Sequence, residues 1–474
     1  MRDCRKFFIN GQWVLPNEAN DLTVENPATE KPVAVISQGT IVDVNKAVAA
    51  ACHAFTEFGQ TTREIRLALL ENLLTIYINR YDEMVQAIHL EMGAPIDFAH
   101  NEQADCGRGH LQSAINALKH YPFEQTIENS QIIKEPIGVC GLITPWNWPI
   151  NQVACKVAPA LATGCTMVLK PSEKAPLSAY LFAEMIDEAG FPPGVFNLVN
   201  GSGTVVGTAL AEHPDIDMVS FTGSTRAGVA VAKAAANSVK RVTQELGGKS
   251  PNILLEDADF ERAIKKGIFM CMENTGQSCN APTRMLVPQS RYQEALALAK
   301  ESVKLVKVDC PEKPGRHLGP LASGEQYLKV QQLIQDAINE GATLIAGGTG
   351  KPEGLETGHY VRPTIFADVD NSMTIAREEV FGPVLVMIPY SNEEEAISIA
   401  NDTPYGLSAY IQAADIERGK EIARKLRAGM VRINHAPHSY DAPFGGYKQS
   451  GMVENGVNTA LRIIWKLKPS AFDC

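Results

Sequence analysis

Between residues 138 and 236, short apolar runs alternate with helical stretches, and this alternation limits the fold more than any other feature of the sequence. Four runs with the character of buried strands lie at residues 139–144, 166–170, 196–199 and 218–222. The stretches with helical character lie between them, at residues 151–162, 177–189 and 205–211. Strands and helices that alternate at this spacing are typical of a doubly wound parallel sheet, so we predict an α/β fold.

A second alternating region begins after Pro251. Its strand-like runs lie at residues 252–255, 284–287, 343–345, 384–389 and 430–433. A chain of 474 residues is too long for one ordinary core, so the two regions predict two α/β domains. Nearer the N-terminus, residues 7–14 predict a hairpin that turns at Asn10-Gly11. Residues 61–92 predict helix, which Thr61 or Thr62 caps and Gly93 ends.

Charge and composition argue against several classes of protein. The formal net charge is -11 and no cluster of Lys and Arg is present, so nucleic acid is not an expected partner. No apolar stretch reaches the roughly 20 residues of a membrane span, so no membrane partner is expected. The N-terminal residues lack a secretory signal, and a cytoplasmic location is therefore predicted. The ten cysteines form no CxxC pair, so we predict reduced thiols and no metal site.

Two short segments carry side chains that are suited to covalent catalysis. Residues 274–280, Asn-Thr-Gly-Gln-Ser-Cys-Asn, place Cys279 in a glycine-containing loop where a thiolate would be accessible. Residues 242–249 place Glu245 beside apolar neighbours and before two glycines, and such a carboxyl group can act as a general base near neutral pH. Taken singly, the first is also read as an ordinary loop cysteine, and the second as a strand-end glutamate paired with Lys249.

Three further segments lie at the ends of predicted strands. Asn147 stands in the rigid turn Pro-Trp-Asn-Trp-Pro, where its amide either stabilises an oxyanion or bonds its own backbone. Glu173 follows the strand that ends at Lys170, and it either accepts hydrogen bonds from a ribose diol or is a solvated turn residue. The turn at residues 222–228 leads into an Ala-rich helix and is a weak candidate for phosphate binding, because it is not GxGxxG.

Two last segments are Glu-Glu-Val-Phe-Gly-Pro at residues 378–383 and a glycine-rich loop at residues 443–451, each of which alone has a turn or packing explanation. Together and in this order, the seven segments resemble the aldehyde dehydrogenase superfamily. The resemblance covers nearly the whole chain, from Phe8-Ile9-Asn10-Gly11 to Ser450-Gly451. Because seven motifs occur in the expected order, the turn, packing and surface-charge explanations given above for the single segments become much less probable.

The resemblance implies an aldehyde dehydrogenase-like α/β fold with a variant Rossmann cofactor domain of five strands, an α/β catalytic domain and a small β oligomerisation arm. We expect the NAD-binding domain at residues 1–116 and 137–246, and the catalytic domain at residues 247–450. The arm is expected at residues 117–136 and 451–474, with a short apolar strand at residues 461–468, and it implies a homodimer or homotetramer. Residues 451–456 lack the arginine of the Arg-Glu pair that is common in the family, a departure that bears on local packing and not on the chemistry.

By motif match, the resemblance implies that Cys279 is the nucleophile, that Glu245 is the base, and that Asn147 stabilises an oxyanion together with the backbone N–H of Cys279. The implied cofactor-binding residues are Thr144, Pro145, Trp146, Lys170, Ser172, Glu173, Gly203, Phe221, Gly223, Ser224, Leu246, Gly247, Glu379 and Phe381. Of these, Lys170 and Glu173 would contact the adenosine ribose, Ser224 the pyrophosphate, and Glu379 the nicotinamide ribose. The implied substrate contacts are Trp148, Ser278 and Asn280, beside the loop at residues 435–441 with its His435, His438 and Tyr440.

The implied reaction is the NAD-dependent oxidation of an aldehyde to a carboxylic acid through a thiohemiacetal and a thioester on Cys279. Glu245 favours hydrolysis of the thioester, because relatives that pass the acyl group to coenzyme A tend to lack this residue. Glu173 favours NAD, since a carboxylate accepts from the 2′-hydroxyl and repels the 2′-phosphate of NADP, although some relatives with this glutamate use both. The alternatives are a catalytically silent binding protein and a coenzyme A-acylating semialdehyde dehydrogenase.

The substrate is the least constrained part of the prediction. Ser278 and Asn280 are small, and Trp148 offers an aromatic wall. No distinctive cationic anchor for an acidic aldehyde stands out, and Arg284 or another arginine folded into the site is the alternative. We therefore expect a medium-sized aliphatic or aromatic aldehyde.

Overall fold

The computed structural model describes residues 1–437 and 439–451, and the backbone of residues 465–471. The strands are, in chain order, β1 (Arg2–Cys4), β2 (Phe7–Ile9), β3 (Gln12–Val14), β4 (Asp21–Asn26), β5 (Lys31–Ser37), β6 (Glu124–Ile127), β7 (Ser130–Pro136), β8 (Val139–Ile143), β9 (Thr166–Lys170), β10 (Phe196–Leu198), β11 (Met218–Thr222), β12 (Arg241–Glu245), β13 (Pro251–Leu254), β14 (Arg284–Pro288), β15 (Thr343–Ala346), β16 (Thr364–Ala367), β17 (Val384–Tyr390), β18 (Ser408–Gln412), β19 (Met430–Ile433) and β20 (Trp465–Ala471).

The helices are α1 (Ile41–Phe58), α2 (Arg63–Asn79), α3 (Tyr81–Met92), α4 (Ile96–Phe98), α5 (Ala104–His120), α6 (Pro149–Thr163), α7 (Leu177–Glu188), α8 (Thr208–Glu212), α9 (Thr225–Ala236), α10 (Phe260–Met272), α11 (Tyr292–Val303), α12 (Gly324–Asn339), α13 (Thr374–Arg377), α14 (Glu393–Asn401) and α15 (Ile416–Ala423). Two π-helical turns add Ala99–Gln103 and Gly203–Gly207, and short 3₁₀ turns add Glu273–Gly276, Gln289–Arg291 and Lys448–Ser450.

The first large sheet has the strand order β12-β11-β8-β9-β10-β2-β3. Its first five strands are parallel, which confirms the doubly wound prediction, and the β2–β3 hairpin extends the edge in antiparallel pairing. The hairpin turns at Asn10 and Gly11, which adopt φ angles of 53° and 70°. The strand order reverses at β8, which pairs with β9 on one side and β11 on the other. Ligands bind to sheets of this kind beyond the carboxyl ends of the strands at such a reversal.

Both faces of this sheet are covered by helices, because successive residues of each strand point to opposite sides. Val139 and Ile143 of β8 pack in a cluster with residues of α1 and α8. Cys140 and Leu142, on the other face of the same strand, pack with residues of α2, α6 and α7. Burial on both faces explains why these strands appear in the sequence as short continuous apolar runs.

The second large sheet has the order β15-β16-β17-β14-β13-β18-β19, in which β15 alone is antiparallel to its neighbour. All five runs that were predicted in this region are strands, so the second α/β region is confirmed. β16 and β18 were not predicted. Their sequences, Thr-Ile-Phe-Ala and Ser-Ala-Tyr-Ile-Gln, are short and include polar residues, and sheet neighbours on both sides bury them.

Two predicted helical stretches are divided in the structure. Residues 61–92 form α2 and α3, because Arg80 leaves helical geometry between them with φ of -106° and ψ of 21°. The Thr62 hydroxyl caps the first helix by accepting a hydrogen bond from the Ile65 N–H, and Gly93 ends the second with φ of 63°. Residues 205–211, predicted as one helix, belong to a π-helical turn followed by α8.

A smaller sheet has the order β20-β7-β6. β20 pairs with β7 in antiparallel register from Trp465 opposite Pro136 to Ala471 opposite Ser130. The predicted C-terminal strand is therefore present but ends three residues later than expected, and residues 461–464 of the prediction lie outside the described residues. The domain boundaries given above stay predictions. Among the described residues, no helix has the length and apolar composition that a membrane crossing requires.

Arg284, the first residue of β14, forms hydrogen bonds to several segments around the second sheet. It is 0% exposed. Its guanidinium donates to the carbonyls of Lys249 (3.0 Å), Ile399 (2.9 Å) and Ala400 (3.0 Å), and to Asn371 Oδ1 (2.8 Å). Because these bonds occupy the group inside the fold, the alternative that Arg284 anchors an acidic substrate is wrong.

We expect Arg284→Met to lower the thermal unfolding midpoint markedly. The substitution leaves three buried carbonyls without this donor, and each unsatisfied buried group costs about 1–3 kcal/mol. Differential scanning calorimetry at one fixed protein concentration measures the effect. Lys304→Met is the control and should leave the midpoint unchanged, because Lys304 is exposed and, of the residues that the structure describes, pairs only with Glu301. Equal midpoints for the two variants would contradict the structural role of Arg284.

Candidate active site

The two large sheets meet where β12 ends and where the loop before β14 begins. Glu245 is the last residue of β12 and is buried, and Cys279 lies in the loop that follows Gly276. Gly248 passes directly under this loop, since a Cβ atom at Gly248 would lie 2.3 Å from the carbonyl oxygen of Cys279. The Glu245 carboxylate is also close enough to the Cys279 thiol to raise its pKa, so both groups lie in one region, called the cleft below, between the carboxyl edge of the first sheet and the amino edge of the second.

The loop that carries Cys279 begins with three residues in left-handed backbone geometry. Asn274, Thr275 and Gly276 have φ angles of 53°, 57° and 73°. Two contacts hold this bend in place: the Thr275 hydroxyl donates to the Gly319 carbonyl at 3.1 Å, and Gly276 packs directly on the Gly382 carbonyl. Left-handed geometry in non-glycine residues is costly, so such a bend persists only when the surrounding structure fixes it.

Asn147 connects the first sheet to this loop. Its Nδ2 donates to the Gln277 carbonyl at 3.0 Å, and its own backbone carbonyl accepts from Asn274 Nδ2 at 2.8 Å and from Gln103 Nε2 at 3.3 Å. A side-chain amide nitrogen carries two hydrogens, so Asn147 can donate a second hydrogen bond while it holds Gln277. The structure thus brings together the three residues that the sequence predicted to be catalytic.

The electrostatic surroundings of Cys279 oppose its ionisation. Burial raises the pKa of the Cys279 thiol well above its ordinary value, and the carboxylates of Glu379 and Glu245 raise it further. Burial also raises the pKa of Glu379 to about 7, although the Gly248 N–H donates to its Oε1 at 2.9 Å. The thiol is therefore protonated at neutral pH, chiefly because it is buried, and the two carboxylates further oppose its ionisation.

Lys249 does not form the predicted alternative ion pair with Glu245. Among the described residues its Nζ has no hydrogen-bond partner, and burial lowers its pKa to about 7. Glu245 is instead 3% exposed at the end of β12, where its backbone lies beside Gly451. Lys249 is therefore not the residue that pairs with the Glu245 carboxylate.

The predicted cofactor residues near the strand reversal lie close to one another. The Thr144 N–H donates to the Lys170 carbonyl at 3.1 Å, which aligns the ends of β8 and β9. The Lys170 ammonium donates to Glu173 Oε2 at 3.0 Å, and Ser172 Oγ accepts from the Lys174 N–H at 3.2 Å. Burial of Glu173 opposes its ionisation, but the charge of Lys170 lowers its pKa below the ordinary value. Pro145 continues from Thr144 into the turn that holds Asn147.

Other predicted cofactor residues surround the start of α9. Ser224 caps this helix by accepting from the Ala227 N–H at 3.3 Å, and the Gly223 N–H donates to the Glu245 carbonyl at 3.0 Å. Phe221 covers Gly223, and Leu246 packs over Gly228 of the same helix. Gly203 faces open space, with no heavy atom within 4 Å of an added Cβ. The free N–H groups of a helix start and an uncrowded glycine fit a pyrophosphate-containing ligand.

A third group lies on the cleft between the sheets. The rings of Trp146 and Phe381 meet edge to face at 5.4 Å. Gly247 leaves room for Glu379, whose Oε2 would lie 2.4 Å from an added Cβ. Trp146 and Gly247 lie before β13 in the chain, whereas Phe381 and Glu379 lie after β16. The segments predicted to hold a nicotinamide ribose are therefore adjacent.

On the substrate side, Trp148 Nε1 donates to Ser278 Oγ at 2.8 Å, and the ring of Phe98 packs on Trp148. The Asn280 carbonyl accepts from the Tyr410 hydroxyl at 2.8 Å. The predicted mouth loop packs on other elements: Tyr440 contacts the ring of His110 on α5. His435 Nε2 lies 3.3 Å from the Ala263 carbonyl. Burial lowers the pKa of His435 to about 4, so this side chain is neutral. His438 lies outside the described residues.

A cavity of about 410 Å³ adjoins the bend at Asn274 and Thr275. Its lining includes the carboxylates of Glu102 and Glu273. Burial and the neighbouring Glu102 raise the pKa of Glu273, whereas Arg316 and Arg432 oppose the rise. The opening is therefore lined by side chains of both charges, since Lys307 and Arg316 lie beside the carboxylates.

Comparisons with known proteins agree with this geometry. Residues 13–468 match the model of the aldehyde dehydrogenase family. The chain belongs to the aldehyde dehydrogenase family. It is 55% identical over 452 residues, 95% of each chain, to a 3-succinoylsemialdehyde-pyridine dehydrogenase of a Pseudomonas species. Oxidation of aldehydes to acids is the reaction of this family.

Solved structures of aldehyde dehydrogenases superpose closely on the chain. One is a cysteine-to-alanine variant of aldehyde dehydrogenase C from Pseudomonas syringae in complex with NAD+ and octanal, with a TM-score of 0.98 and 50% identity. That similarity covers 99% of this chain and 96% of the other. Another is a Mycobacterium tuberculosis aldehyde dehydrogenase complexed with NAD+, with a TM-score of 0.97, 38% identity, and coverage of 100% and 99% of the two chains.

The site of this aldehyde dehydrogenase also contains residues that the sequence did not single out. Ser450 Oγ donates to the Gly247 carbonyl at 2.7 Å, and the Leu246 N–H donates to the Ser450 carbonyl at 2.8 Å. Lys156 Nζ donates to Ser220 Oγ at 3.0 Å beneath the sheet. Gln103 bonds Asn147 and Asn274. Only Ser450 lay in a recognised motif, and nothing in the local sequence marks Gln103 or Lys156.

We expect Glu379→Gln to make Cys279 more reactive toward iodoacetamide in the absence of NAD. The substitution removes one of two carboxylates that raise the thiol pKa, and the new side chain can still accept from the Gly248 N–H. A shift of one pKa unit changes the thiolate fraction about tenfold, so the alkylation rate at mildly alkaline pH should rise severalfold. Glu378→Gln, at the exposed neighbouring position, is the matched control. Equal rates in both variants would show that Glu379 does not act on the thiol.

Proposed function

We propose that this aldehyde dehydrogenase oxidises an uncharged, medium-sized aliphatic or aromatic aldehyde to the free carboxylic acid with NAD. Cys279 acts as the nucleophile, Glu245 as the base and Asn147 as the oxyanion donor. The observation that carries the proposal is the common cleft of these three groups, in which Gly248 touches the Cys279 backbone and Asn147 bonds Gln277, two residues before Cys279.

The first step forms a bond from the Cys279 sulfur to the aldehyde carbon. The thiol must lose its proton for this attack, because the thiolate is the nucleophile. The neighbouring carboxylates raise the pKa of the thiol, so a base is needed to take that proton. Glu245 is near enough to influence the thiol and is the group we assign to this task. Attack turns the carbonyl carbon tetrahedral and moves charge onto its oxygen.

Asn147 then stabilises the oxyanion with the hydrogen that it does not donate to Gln277, and the Cys279 N–H is the second donor. A fixed donor of this kind typically contributes about 3–4 kcal/mol to lowering the barrier. NAD, when bound, accepts the hydride that leaves the tetrahedral carbon, and a thioester on Cys279 remains. Glu245 passes the thiol proton to solvent and then removes a proton from a water molecule, whose oxygen attacks the thioester carbon. The carboxylic acid leaves, and the Cys279 thiolate takes up the proton that Glu245 holds.

NAD is the cofactor that best fits the charges at the end of β9. Lys170 holds the Glu173 carboxylate at 3.0 Å and keeps it ionised, so Glu173 can accept from a ribose 2′-hydroxyl and would repel a 2′-phosphate. We assign the pyrophosphate to Ser224 at the start of α9, and the nicotinamide ribose to Glu379. The NAD+ complexes of the P. syringae and M. tuberculosis enzymes support this assignment.

The substrate class follows from charge and from the relatives. Glu245, Glu379 and Glu273 place negative charge around the cleft, and the Arg284 guanidinium is used inside the fold. A carboxylate-bearing aldehyde would lose its hydration near these groups, and Arg316 and Arg432 already interact with the Glu273 carboxylate. Two aldehydes are named for the relatives: octanal, in the complex of the P. syringae enzyme, and 3-succinoylsemialdehyde-pyridine, in the name of the Pseudomonas enzyme. Neither of these aldehydes carries a carboxylate.

We further propose a cytoplasmic homodimer or homotetramer. β6 is exposed along its whole length, and the β6–β7–β20 sheet stands apart in strand pairing from both large sheets. These features support the assignment of residues 117–136 and 451–474 to a bridging arm. The separate strand sets of the two large sheets support the proposed boundary at residues 246–247.

We expect Glu245→Gln to give a burst of NADH followed by slow turnover. Cys279 can still form the thioester, but water is no longer activated, and general-base assistance typically contributes about 10²- to 10⁴-fold. Stopped-flow absorbance with octanal measures both phases. Cys279→Ala, which should bind NAD without producing NADH, is the control.

Coenzyme A separates the remaining alternatives. A rate that requires coenzyme A would indicate an acylating enzyme, and no NADH with a broad panel of aldehydes would indicate a silent family member. An absent burst in the Glu245→Gln variant, with an unaltered steady rate, would contradict the role of Glu245.

We expect kcat/KM to rise from butanal to octanal and to be at least about tenfold lower for 4-oxobutanoate than for butanal. Each buried methylene contributes about 0.8 kcal/mol, whereas an unpaired carboxylate in the cleft is unfavourable. Butanal and 4-oxobutanoate have the same number of carbons, so their ratio isolates charge from length. A preference for 4-oxobutanoate would reject the proposed substrate class.

A further inference from the structure

We propose that Gln103 is a positioning residue that fixes the orientation of the oxyanion donor Asn147, a role that rests on the catalytic assignment proposed above. Gln103 is the last residue of the π-helical turn that precedes α5, and it is 0% exposed. Its side chain reaches across the cleft between the two sheets. It donates one hydrogen bond to the turn that holds Asn147 and another to the bend of the Cys279 loop.

Three side-chain amides form one hydrogen-bonded network at this point. Gln103 Nε2 donates to Asn274 Oδ1 at 3.0 Å and to the Asn147 carbonyl at 3.3 Å. Asn274 Nδ2 donates to the same Asn147 carbonyl at 2.8 Å and to the Gln277 carbonyl at 3.2 Å. Asn147 Nδ2 also donates to the Gln277 carbonyl at 3.0 Å. Gln103 is therefore the one member that contacts both asparagines from outside the two segments.

The network has one orientation for each amide, and the donors of Gln103 reinforce the orientation that the Asn147 and Gln277 carbonyls require of Asn274. Because Gln103 presents N–H groups, Asn274 must turn its oxygen toward Gln103 and its nitrogen toward the carbonyls of Asn147 and Gln277. With the opposite orientation, the Asn274 oxygen would face two carbonyl oxygens. The Asn147 carbonyl would then lose the hydrogen bond from Asn274 and keep the longer one from Gln103 Nε2, so the turn that carries the Asn147 side chain would be held less firmly.

The role requires an amide rather than a carboxylate. Among the described residues, Gln103 Oε1 has no hydrogen-bond partner, so the side chain is held through its donated bonds. A carboxylate at this position has no hydrogen to donate and would face the Asn147 carbonyl and Asn274 Oδ1. It would also add negative charge close to the point where the oxyanion forms. Gln103→Glu keeps the shape of the side chain and changes these two properties.

A double-mutant cycle tests whether Gln103 acts through Asn147. We expect Gln103→Met to lower kcat roughly tenfold, because removal of a whole oxyanion donor typically costs about 10²- to 10³-fold, while KM for octanal and the Kd of NAD change little. Asn147→Ala should lower kcat more. The double variant Gln103→Met with Asn147→Ala should match Asn147→Ala alone, since a positioned group that is absent cannot be mispositioned.

The pH profile of Gln103→Glu provides a readout that a merely structural role would not move. A buried carboxyl group is protonated at low pH, and its O–H can then donate to the network. The ratio of variant to parent kcat should therefore be closest to one near about pH 5.5 and fall toward about pH 8.5 as the carboxyl group ionises. Gln103→Glu also allows the role to be tested if Gln103→Met does not fold, because glutamate has the same volume and branching as the native glutamine.

Gln112→Met, on the helix α5 that follows Gln103, is the matched control. Gln112 is exposed, and within the described part of the chain its side chain donates only to Asn116 Oδ1, at 3.0 Å, so its substitution should leave kcat, KM and the thermal midpoint unchanged. Additive effects in the cycle, or a flat pH ratio for Gln103→Glu, would overturn the positioning role and leave the proposed function intact. An Asn147→Ala variant with unchanged kcat would instead remove the oxyanion assignment itself.

Discussion

The hydrogen bond from Asn147 Nδ2 to the Gln277 carbonyl joins the first sheet to the loop that carries Cys279. Asn147 follows β8, whereas Gln277 follows α10, so the site exists only when both α/β units are folded and docked. The left-handed bend at Asn274 and Thr275 depends on the same contact region, because Asn274 donates to both ends of it. One constraint thus couples the geometry of the nucleophile loop to that of the oxyanion donor.

The carboxylates around this contact oppose the ionisation of the thiol that the proposed reaction requires. In the proposed mechanism Glu245 activates water and Glu379 contacts the nicotinamide ribose, yet both carboxylates raise the pKa of the thiol. A permanently ionised thiolate would be exposed to oxidation, whereas a fully protonated one could not attack. Placing the base beside the thiol lets one group serve both steps, at the cost of a free enzyme whose nucleophile is largely neutral.

The strands were predictable because burial on both faces gives short continuous apolar runs, and β9, β11 and β19 have the predicted bounds. The break at Arg80 and the π-helical turn at Ala99–Gln103 were not, since neither contains the glycine or proline that usually marks an interruption. Cys279, Glu245 and Asn147 were predictable from motifs in order rather than from any single spacing. Gln103 was not, because it stands in a helical region whose sequence gives no indication of which side chain crosses the cleft.

The position of Gly248 explains why the Glu245 motif needs its glycines. Glu245 must lie at the end of a strand of one sheet, yet the chain has to reach the first strand of the other sheet within six residues. This crossing runs against the Cys279 carbonyl on one side, and Gly247 lies against the Glu379 carboxylate on the other. Side chains at either position would separate the base from the nucleophile by forcing these segments apart. The closeness of the catalytic groups is therefore set by the absence of two Cβ atoms as much as by the presence of the reactive side chains.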